Sequence, residues 1–257
     1  MSSVAASLAL KAGLLKQISI DGIRACGVNA HDNIYCADDI RAPHWVHIAG
    51  GLKQIDLHGD RMCGVNAHDD IYCANFKTAN WKHIPGKLKH ISVHNGRACG
   101  VNSGDQIWCA DNIMAPHWAH IPGGLKQIDL SGNLMCGTNS HDDIFCASYK
   151  QANWVKKEGK LKYVTLDRLR ICGANSANQI HCAQNVDSPE WTQIPGHLNK
   201  VSLSDELLCG LDSSYRIFCI AYSSVKQPDI WKMKGGKLSQ TFVCIHYPYI
   251  NQWNQVC

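Results

Sequence analysis

The stretch that decides the fold is GGLKQIDLHGDRMCGVNAHDDIYCANFKTANWKHIPG, from Gly50 to Gly86. Within it, LKQIDL alternates as a buried or half-buried strand does, and CGVN and DIYCA flank a short polar tip as the arms of a hairpin do. WKHI predicts a fourth short strand, which is closed by Pro85 and Gly86. Because nothing in the stretch has helical spacing, it predicts four antiparallel strands.

This unit is repeated six times along the 257 residues. Each copy has two cysteines in the spacing C-x9-C, and the first cysteines lie 37, 36, 37, 36 and 37 residues apart. The alternation indicates a higher repeat of 73 residues, which is a pair of units. Neighbouring sheets in a ring bury both faces of each unit, so the sequence predicts an all-β fold, a six-bladed β-propeller of four-stranded antiparallel blades. The predicted repeats are 14–49, 50–86, 87–123, 124–159, 160–196 and 197–235, followed by a closing strand and tail at 236–257.

Composition bounds the class of protein. Hydrophobic residues make up 45% of the chain, charged residues 18%, and the formal net charge is +4. These values disfavour disorder and a nucleic-acid partner, and no apolar run reaches the roughly 18 residues that predict a membrane span. Residues 1–16 lack the basic and apolar segments of a secretory signal. The sequence therefore predicts a single domain, 1–257, that is cytoplasmic or released by a non-classical route, without membrane insertion.

Two segments are candidates for the strand that closes the ring. Residues 237–243 repeat the first strand of a unit without the rest, and residues 15–20 are the first copy of that strand. The last unit is expected to take its fourth strand from the segment that begins at Trp231. Residues 247–257 lie outside the repeat, and we expect them to cap the ring or to form a contact in a homo-oligomer.

The pattern W-x-x-I-x-G-x-L-x-x-I-x-L followed by G-V-N-x-x-D-x-I-Y resembles the tectonin repeat of tectonins, tachylectin-like proteins and fish-egg lectins. The resemblance extends from Gly13 to Gly235 and is weaker in the last two units. In the sixth unit, Leu211 and Asp212 replace the Val-Asn, Ala-Asn or Thr-Asn of the others. It implies a multivalent carbohydrate-binding lectin of innate defence. The implied partners are glycans on foreign cells, in several cases O-methylated, bound at several sites per chain.

The cysteines favour disulfides. A hairpin folded about His31 places Cys26 opposite Cys36, with Cβ atoms about 4.5–5.5 Å apart, and a modest local approach reaches the about 3.8 Å of a disulfide. The alternative is six pairs of reduced, buried thiols, which the missing secretory signal favours. The candidate pairs are Cys26–Cys36, Cys63–Cys73, Cys99–Cys109, Cys136–Cys146, Cys172–Cys182, Cys209–Cys219 and, by elimination, Cys244–Cys257.

Metal and catalytic roles for these cysteines are not expected. His68 lies at a hairpin tip about 16 Å along the strand from Cys63 and Cys73, whereas zinc ligands lie about 2 Å from the metal. An active site seldom appears six times, and no cysteine has a histidine partner of its own. The sequence predicts no enzyme, no catalytic residue, no metal and no cofactor.

A four-stranded meander places its 1–2 and 3–4 loops at one face of the propeller, here called the first face. Arginines and tryptophans recur there, and an aromatic ring beside a guanidinium and an amide can orient a pyranose. The alternative for each tryptophan is packing between blades. The preferred ligand-binding candidates are Arg24, His44, Trp45, Arg61, Asn80, Trp81, Arg97, His117, Trp118, Asn153, Trp154, Arg170 and Trp191.

The second face carries the 2–3 and 4–1 loops. Its Asn and Asp residues suit tight turns, and they also suit a clamp on sugar hydroxyls. The candidates of this alternative site are Asn29, His31, Asp32, Asn66, His68, Asp69, Asn102, Asp105, Asn139, His141, Asp142 and Asn175. Five lysines at the start of the first strands could form a basic ring, namely Lys16, Lys53, Lys89, Lys126 and Lys162. The alternatives to a lectin are therefore a polyanion-binding scaffold and a protein-interaction hub.

Overall fold

A computed structural model describes residues 9–222, and side chains from residue 13 onward. The described residues form 24 strands in six separate four-stranded antiparallel sheets and contain no α-helix. The sheets surround one axis as the blades of a six-bladed propeller, which confirms the predicted fold class. No helix in residues 9–222 is long and apolar enough to cross a membrane.

The blades are numbered by their innermost strands, which are β2, β6, β10, β14, β18 and β22. The first three blades consist of β2 Gln17–Asp21, β3 Arg24–Val28, β4 Asn33–Ala37, β5 Val46–Gly51, β6 Gln54–His58, β7 Arg61–Val65, β8 Asp70–Asn75, β9 Lys82–Lys87, β10 His90–His94, β11 Arg97–Val101, β12 Gln106–Ala110 and β13 Ala119–Gly124. The other three consist of β14 Gln127–Ser131, β15 Leu134–Thr138, β16 Asp143–Ser148, β17 Val155–Lys160, β18 Tyr163–Asp167, β19 Arg170–Ala174, β20 Gln179–Ala183, β21 Thr192–His197, β22 Lys200–Ser204, β23 Leu207–Leu211, β24 Arg216–Ala221 and β1 Ala9–Leu14.

The apolar core is divided among the seams between blades. At the seam of the third and fourth blades, Ile107 and Cys109 pack with Ile128 and Met135 in one buried cluster. The other five clusters likewise combine residues of two neighbouring blades. No blade could bury both of its faces alone, so the ring stabilises all six together.

The ring closes differently from either sequence expectation. The fourth, outermost strand of the sixth blade is β1, which pairs antiparallel with β24. Residues 17–20 of the expected segment 15–20 belong to β2, the innermost strand of the first blade. Trp231 and residues 237–243 and 247–257 lie outside the described residues. The N-terminal strand therefore closes the propeller by completing its last blade.

Six disulfides join the middle strands of the blades, and each links the two cysteines of one C-x9-C motif. The cysteines are direct cross-strand partners, for example Cys26 and Cys36, whose Cα atoms lie 4.1 Å apart. Cys244 and Cys257 lie outside the described residues. Disulfides of this kind persist in oxidising compartments and are rare in the cytosol. The expectation of a cytoplasmic protein is therefore wrong, and the six disulfides are typical of an extracellular or secreted protein.

Candidate functional site

The tryptophans lie at the seams between blades. Trp118 belongs to the third blade, and its indole Nε1 donates a hydrogen bond to the carbonyl of Pro85 in the second blade, at 2.7 Å. Gly86 follows with φ of +120°, and a Cβ at this position would lie 2.9 Å from that same Nε1. Glycine is required here because its backbone is left-handed and because the indole leaves no space for a side chain.

The same contact recurs around the ring. Trp81, Trp154 and Trp191 donate to carbonyl oxygens of the preceding blade at 2.8, 2.8 and 2.9 Å. Trp45 lies against Gly13 of β1 in the same way, so the closing strand reproduces the seam. Packing between blades, the alternative raised from the sequence, is thus a structural role of every described tryptophan of the repeat.

A cavity of about 250 Å³ opens at the seam between the second and third blades. Two indoles line it, that of Trp118 and that of Trp108 from the third strand of the same blade. The rest of the lining comes from Gly86, Lys87, Leu88 and Asn102. Two aromatic rings with a few polar groups at the edge form the kind of surface that binds a ring with one apolar face.

An equivalent cavity of about 310 Å³ lies between the fourth and fifth blades. Its lining residues occupy the same positions of the repeat and are Gly159, Lys160, Leu161, Asn175, His181 and Trp191. The main difference is His181 in place of Trp108. The sequence reasoning missed this position of the third strand, although it directly precedes the second cysteine and is partly exposed in each repeat, as Tyr35, Tyr72, Trp108, Phe145, His181 and Phe218.

The arginines do not join the tryptophans. The Arg97 guanidinium lies over the ring of Tyr149 in the next blade, 4.6 Å from its centroid, and Arg170 lies in the same way over Tyr222 at 4.5 Å. Arg24 lies over Phe76 at 5.1 Å and is also ion-paired with Asp21 and Asp60. These stacks link the first blade to the second, the third to the fourth and the fifth to the sixth.

These stacks join the six blades in three pairs, which gives a structural reason for the 73-residue repeat of two units. The other residues expected beside the arginines lie in exposed 3–4 loops outside both cavities, namely His44, Asn80, His117 and Asn153. Arg61 is half-buried and also lies outside both cavities. The preferred group of the sequence analysis is therefore divided, with its tryptophans at the seams and most of its arginines stacked on an aromatic ring of the next blade.

The asparagines of the second face build the hairpin turns. Asn102 Oδ1 accepts hydrogen bonds from the backbone N–H groups of Gly104 and Gln106, both at 3.0 Å. The same capping bonds form at Asn29, Asn66, Asn139 and Asn175. The histidines at the hairpin tips are exposed, and these are His31, His68 and His141. Two of the asparagines, Asn102 and Asn175, also reach the seam cavities.

The basic ring expected on the second face is largely neutralised. In the first four blades each lysine forms an ion pair with the aspartate of its own hairpin, as Lys16–Asp32, Lys53–Asp69, Lys89–Asp105 and Lys126–Asp142. Those aspartates have φ between 63 and 66°, a left-handed turn conformation that Asp tolerates. The ring therefore gives little support to a polyanion site of five lysines.

The axis of the propeller holds a third cavity, of about 640 Å³, which opens on the first face. Two half-buried carboxylates line it, those of Asp56 and Asp129, which accept hydrogen bonds from Ser19 and Ser92 of the preceding blades. Burial raises the pKa of both, to about 7 for Asp129, whose pKa the Asp56 charge also raises. No group of three or more potential metal ligands exists among residues 9–222.

The comparisons with known proteins agree with this architecture. The family model of the tectonin domain matches residues 8–133 and 115–246. The chain belongs to the tectonin family. Tectonin β-propellers are generally non-enzymatic. No curated protein matches the chain.

Among solved structures, a chain of the mitotic checkpoint complex is similar to this tectonin, with a TM-score of 0.63, 10% identity, and coverage of 85% of this chain and 94% of that one. A protein of unknown function from Bacteroides thetaiotaomicron has a TM-score of 0.63 and 8% identity, over 84% of this chain and 72% of that one. YCF48 bound to a D1 peptide has a TM-score of 0.57 and 14% identity, over 80% and 78%. At these identities the likeness shows a shared fold alone.

Proposed function

We propose that this tectonin is a multivalent lectin whose sugar sites lie at the seams between blades. The observation that carries the proposal is the cavity at the seam of the second and third blades, lined by Trp108 and Trp118. Its volume of about 250 Å³ suits one sugar residue better than a longer segment of glycan.

The chemistry of this seam suits a pyranose. The faces of Trp108 and Trp118 offer apolar surface for sugar C–H groups. Asn102 donates to Gln106 Oε1 at 2.8 Å, and an amide has two N–H groups, so one is left for a sugar hydroxyl. A methyl ether on the sugar would add about 0.8 kcal/mol per buried carbon. These features favour glycans with O-methyl groups.

Repetition of the seam would convert weak single sites into tight binding to a surface. The seam of the fourth and fifth blades has an equivalent cavity, and its tryptophan contact recurs in the other described seams. Several sites on one rigid ring gain avidity when a cell surface presents many copies of the same glycan. Disulfides are stable outside the cytosol, which is where a lectin would encounter foreign cells. We therefore propose a role in innate defence.

The proposal is tested with a glycan array that includes O-methylated and unmethylated sugars, followed by calorimetric titration of the best ligand. Trp108→His gives the third blade the residue that the fifth blade already has at this position. It should weaken one class of sites by about 2- to 10-fold, because an aromatic contact of about 0.5–1.5 kcal/mol is reduced. Arg97→Ala is the control, since Arg97 stacks on Tyr149 outside the cavity. Loss of a site in Arg97→Ala with unchanged binding in Trp108→His would contradict the proposal.

A further inference from the structure

The fifth blade breaks the ion-pair pattern of the second face. Lys162 occupies the position of the four paired lysines, but the residue at its hairpin is Asn178 instead of an aspartate. Its Nζ donates only to neutral oxygens, those of Asn178 and of Asn199, the latter at 3.1 Å. No carboxylate in the described part of the chain therefore forms an ion pair with Lys162, and Asp142, which is paired with Lys126, attracts it only at longer range.

The sixth blade adds a second such charge. Lys200 begins the innermost strand β22, where three other blades have Gln17, Gln54 and Gln127. The glutamines bond to the backbone of the next blade, whereas the half-buried Lys200 has no hydrogen-bond or ion-pair partner among residues 9–222. Burial, together with the nearby charges of Lys16 and Lys162, lowers the pKa of Lys200 to about 8.

The Lys200 side chain lies at the axis of the propeller. Its Nζ lies 6.0 Å from the ring centroid of Tyr163, and the Tyr163 ring lies 6.0 Å from that of His90. His90 and Tyr163 come from the third and fifth blades, which are not neighbours, so their rings meet across the axis. The Lys200 ammonium group thus lies near Lys162 and beside the rings of Tyr163 and His90. An anion bound there would offset the repulsion between the two ammonium groups.

We propose that Lys162 and Lys200, on the second face near the axis, together bind a single oxyanion, a carboxylate, sulfate or phosphate group. Two half-buried ammonium groups without ion-pair partners supply charge-assisted hydrogen bonds that water alone satisfies poorly. The site is distinct from the seams and does not depend on sugar binding there. The oxyanion can be a free ion or a group carried by an acidic glycan.

The test is calorimetric titration with sodium sulfate at low ionic strength, with chloride at matched ionic strength as the reference. Asn178→Asp restores the ion pair of the first four blades, and it should fold because Asn178 already has the φ of 64° that those aspartates adopt. Both Asn178→Asp and Lys200→Gln should weaken sulfate binding by at least about tenfold, because each removes a charge-assisted bond to the anion. The neutral sugar sites at the seams should be unchanged in both variants.

Two matched controls separate the site from net charge. Lys77→Gln removes an exposed positive charge from a loop of the first face and should leave sulfate binding unchanged. Asp69→Asn frees Lys53 as Asn178 leaves Lys162, but the next blade has His90 at the position of Lys200, so no second sulfate site should form. Glucosamine 6-sulfate binding more tightly than inorganic sulfate would identify an acidic glycan, and equal binding would identify the free ion. Absence of sulfate binding, or binding that survives both Asn178→Asp and Lys200→Gln, would overturn the proposal.

Discussion

Replacing Gly86 with alanine should damage one seam by an amount that the structure allows us to work out. The left-handed backbone at Gly86, with φ of +120°, costs a residue with a Cβ about 1–3 kcal/mol. The added carbon would lie 2.9 Å from Trp118 Nε1, so the indole must move and its hydrogen bond to Pro85 is lost, which costs a further ~0.5–1.5 kcal/mol. Together these effects destabilise the fold by about 1.5–4.5 kcal/mol.

Gly59→Ala is the matched control for this change. Gly59 has φ of +60° and no atom within 4 Å of the added carbon, so only a backbone penalty of about 1 kcal/mol applies. Urea unfolding with the disulfides intact measures both variants, after coincident transitions by fluorescence and circular dichroism have established two-state behaviour. Gly86→Ala should also lose sugar affinity at one seam, whereas Gly59→Ala should keep it. Equal destabilisation by the two substitutions would refute the inference that the tryptophan contact requires glycine.

Three further predictions concern the axis and the blade pairs. His90→Gln should stabilise the protein by about 1–3 kcal/mol, measured by urea unfolding, because both buried His90 ring nitrogens lack partners where Gln54 forms two hydrogen bonds; a loss of stability would contradict this. The Asp129 carboxyl, with its folded pKa of about 7, retains a proton that the unfolded chain releases, so the stability of the protein should decline between about pH 4 and 7. Asp129→Asn should remove this decline, as measured by thermal unfolding at each pH. An unchanged pH profile would count against the burial of this carboxylate. Arg97→Ala should lower the unfolding midpoint more than Arg61→Ala, because Arg97 stacks on Tyr149, and equal shifts would show that the stack contributes nothing.

The fold could be predicted from the sequence because the features that indicate it occur in every repeat. The C-x9-C spacing, the strand alternation and the period recur six times, and cross-strand pairing of Cys26 with Cys36 follows from the symmetry of one hairpin. The closing strand was missed although a signal was present. Ala12 and Gly13 stand where Pro85 and Gly86 end a fourth strand, so the residues before the first repeat are themselves the end of such a strand.

The candidate site was only partly accessible because it is assembled from two blades. Trp118 directly precedes β13, but its indole reaches the end of the outer strand of the preceding blade, where Asn102 lies close by. Strand order within one unit does not show this contact, since it depends on how neighbouring blades pack. For the same reason, the sequence did not show that Arg97 would find Tyr149 of the next blade.

Closure by β1 has a consequence for the order of events during synthesis. Ala9 of this strand leaves the ribosome 210 residues before its partner Cys219, because the two residues pair at positions 9 and 219. At about 5–20 residues per second, the early strand waits roughly ten to forty seconds with an unpaired edge. During that interval it is open to pairing with another nascent chain, as any exposed strand edge is. Ring closure is thus a late step of folding, and it is complete only when β1 has paired with β24 in the sixth blade.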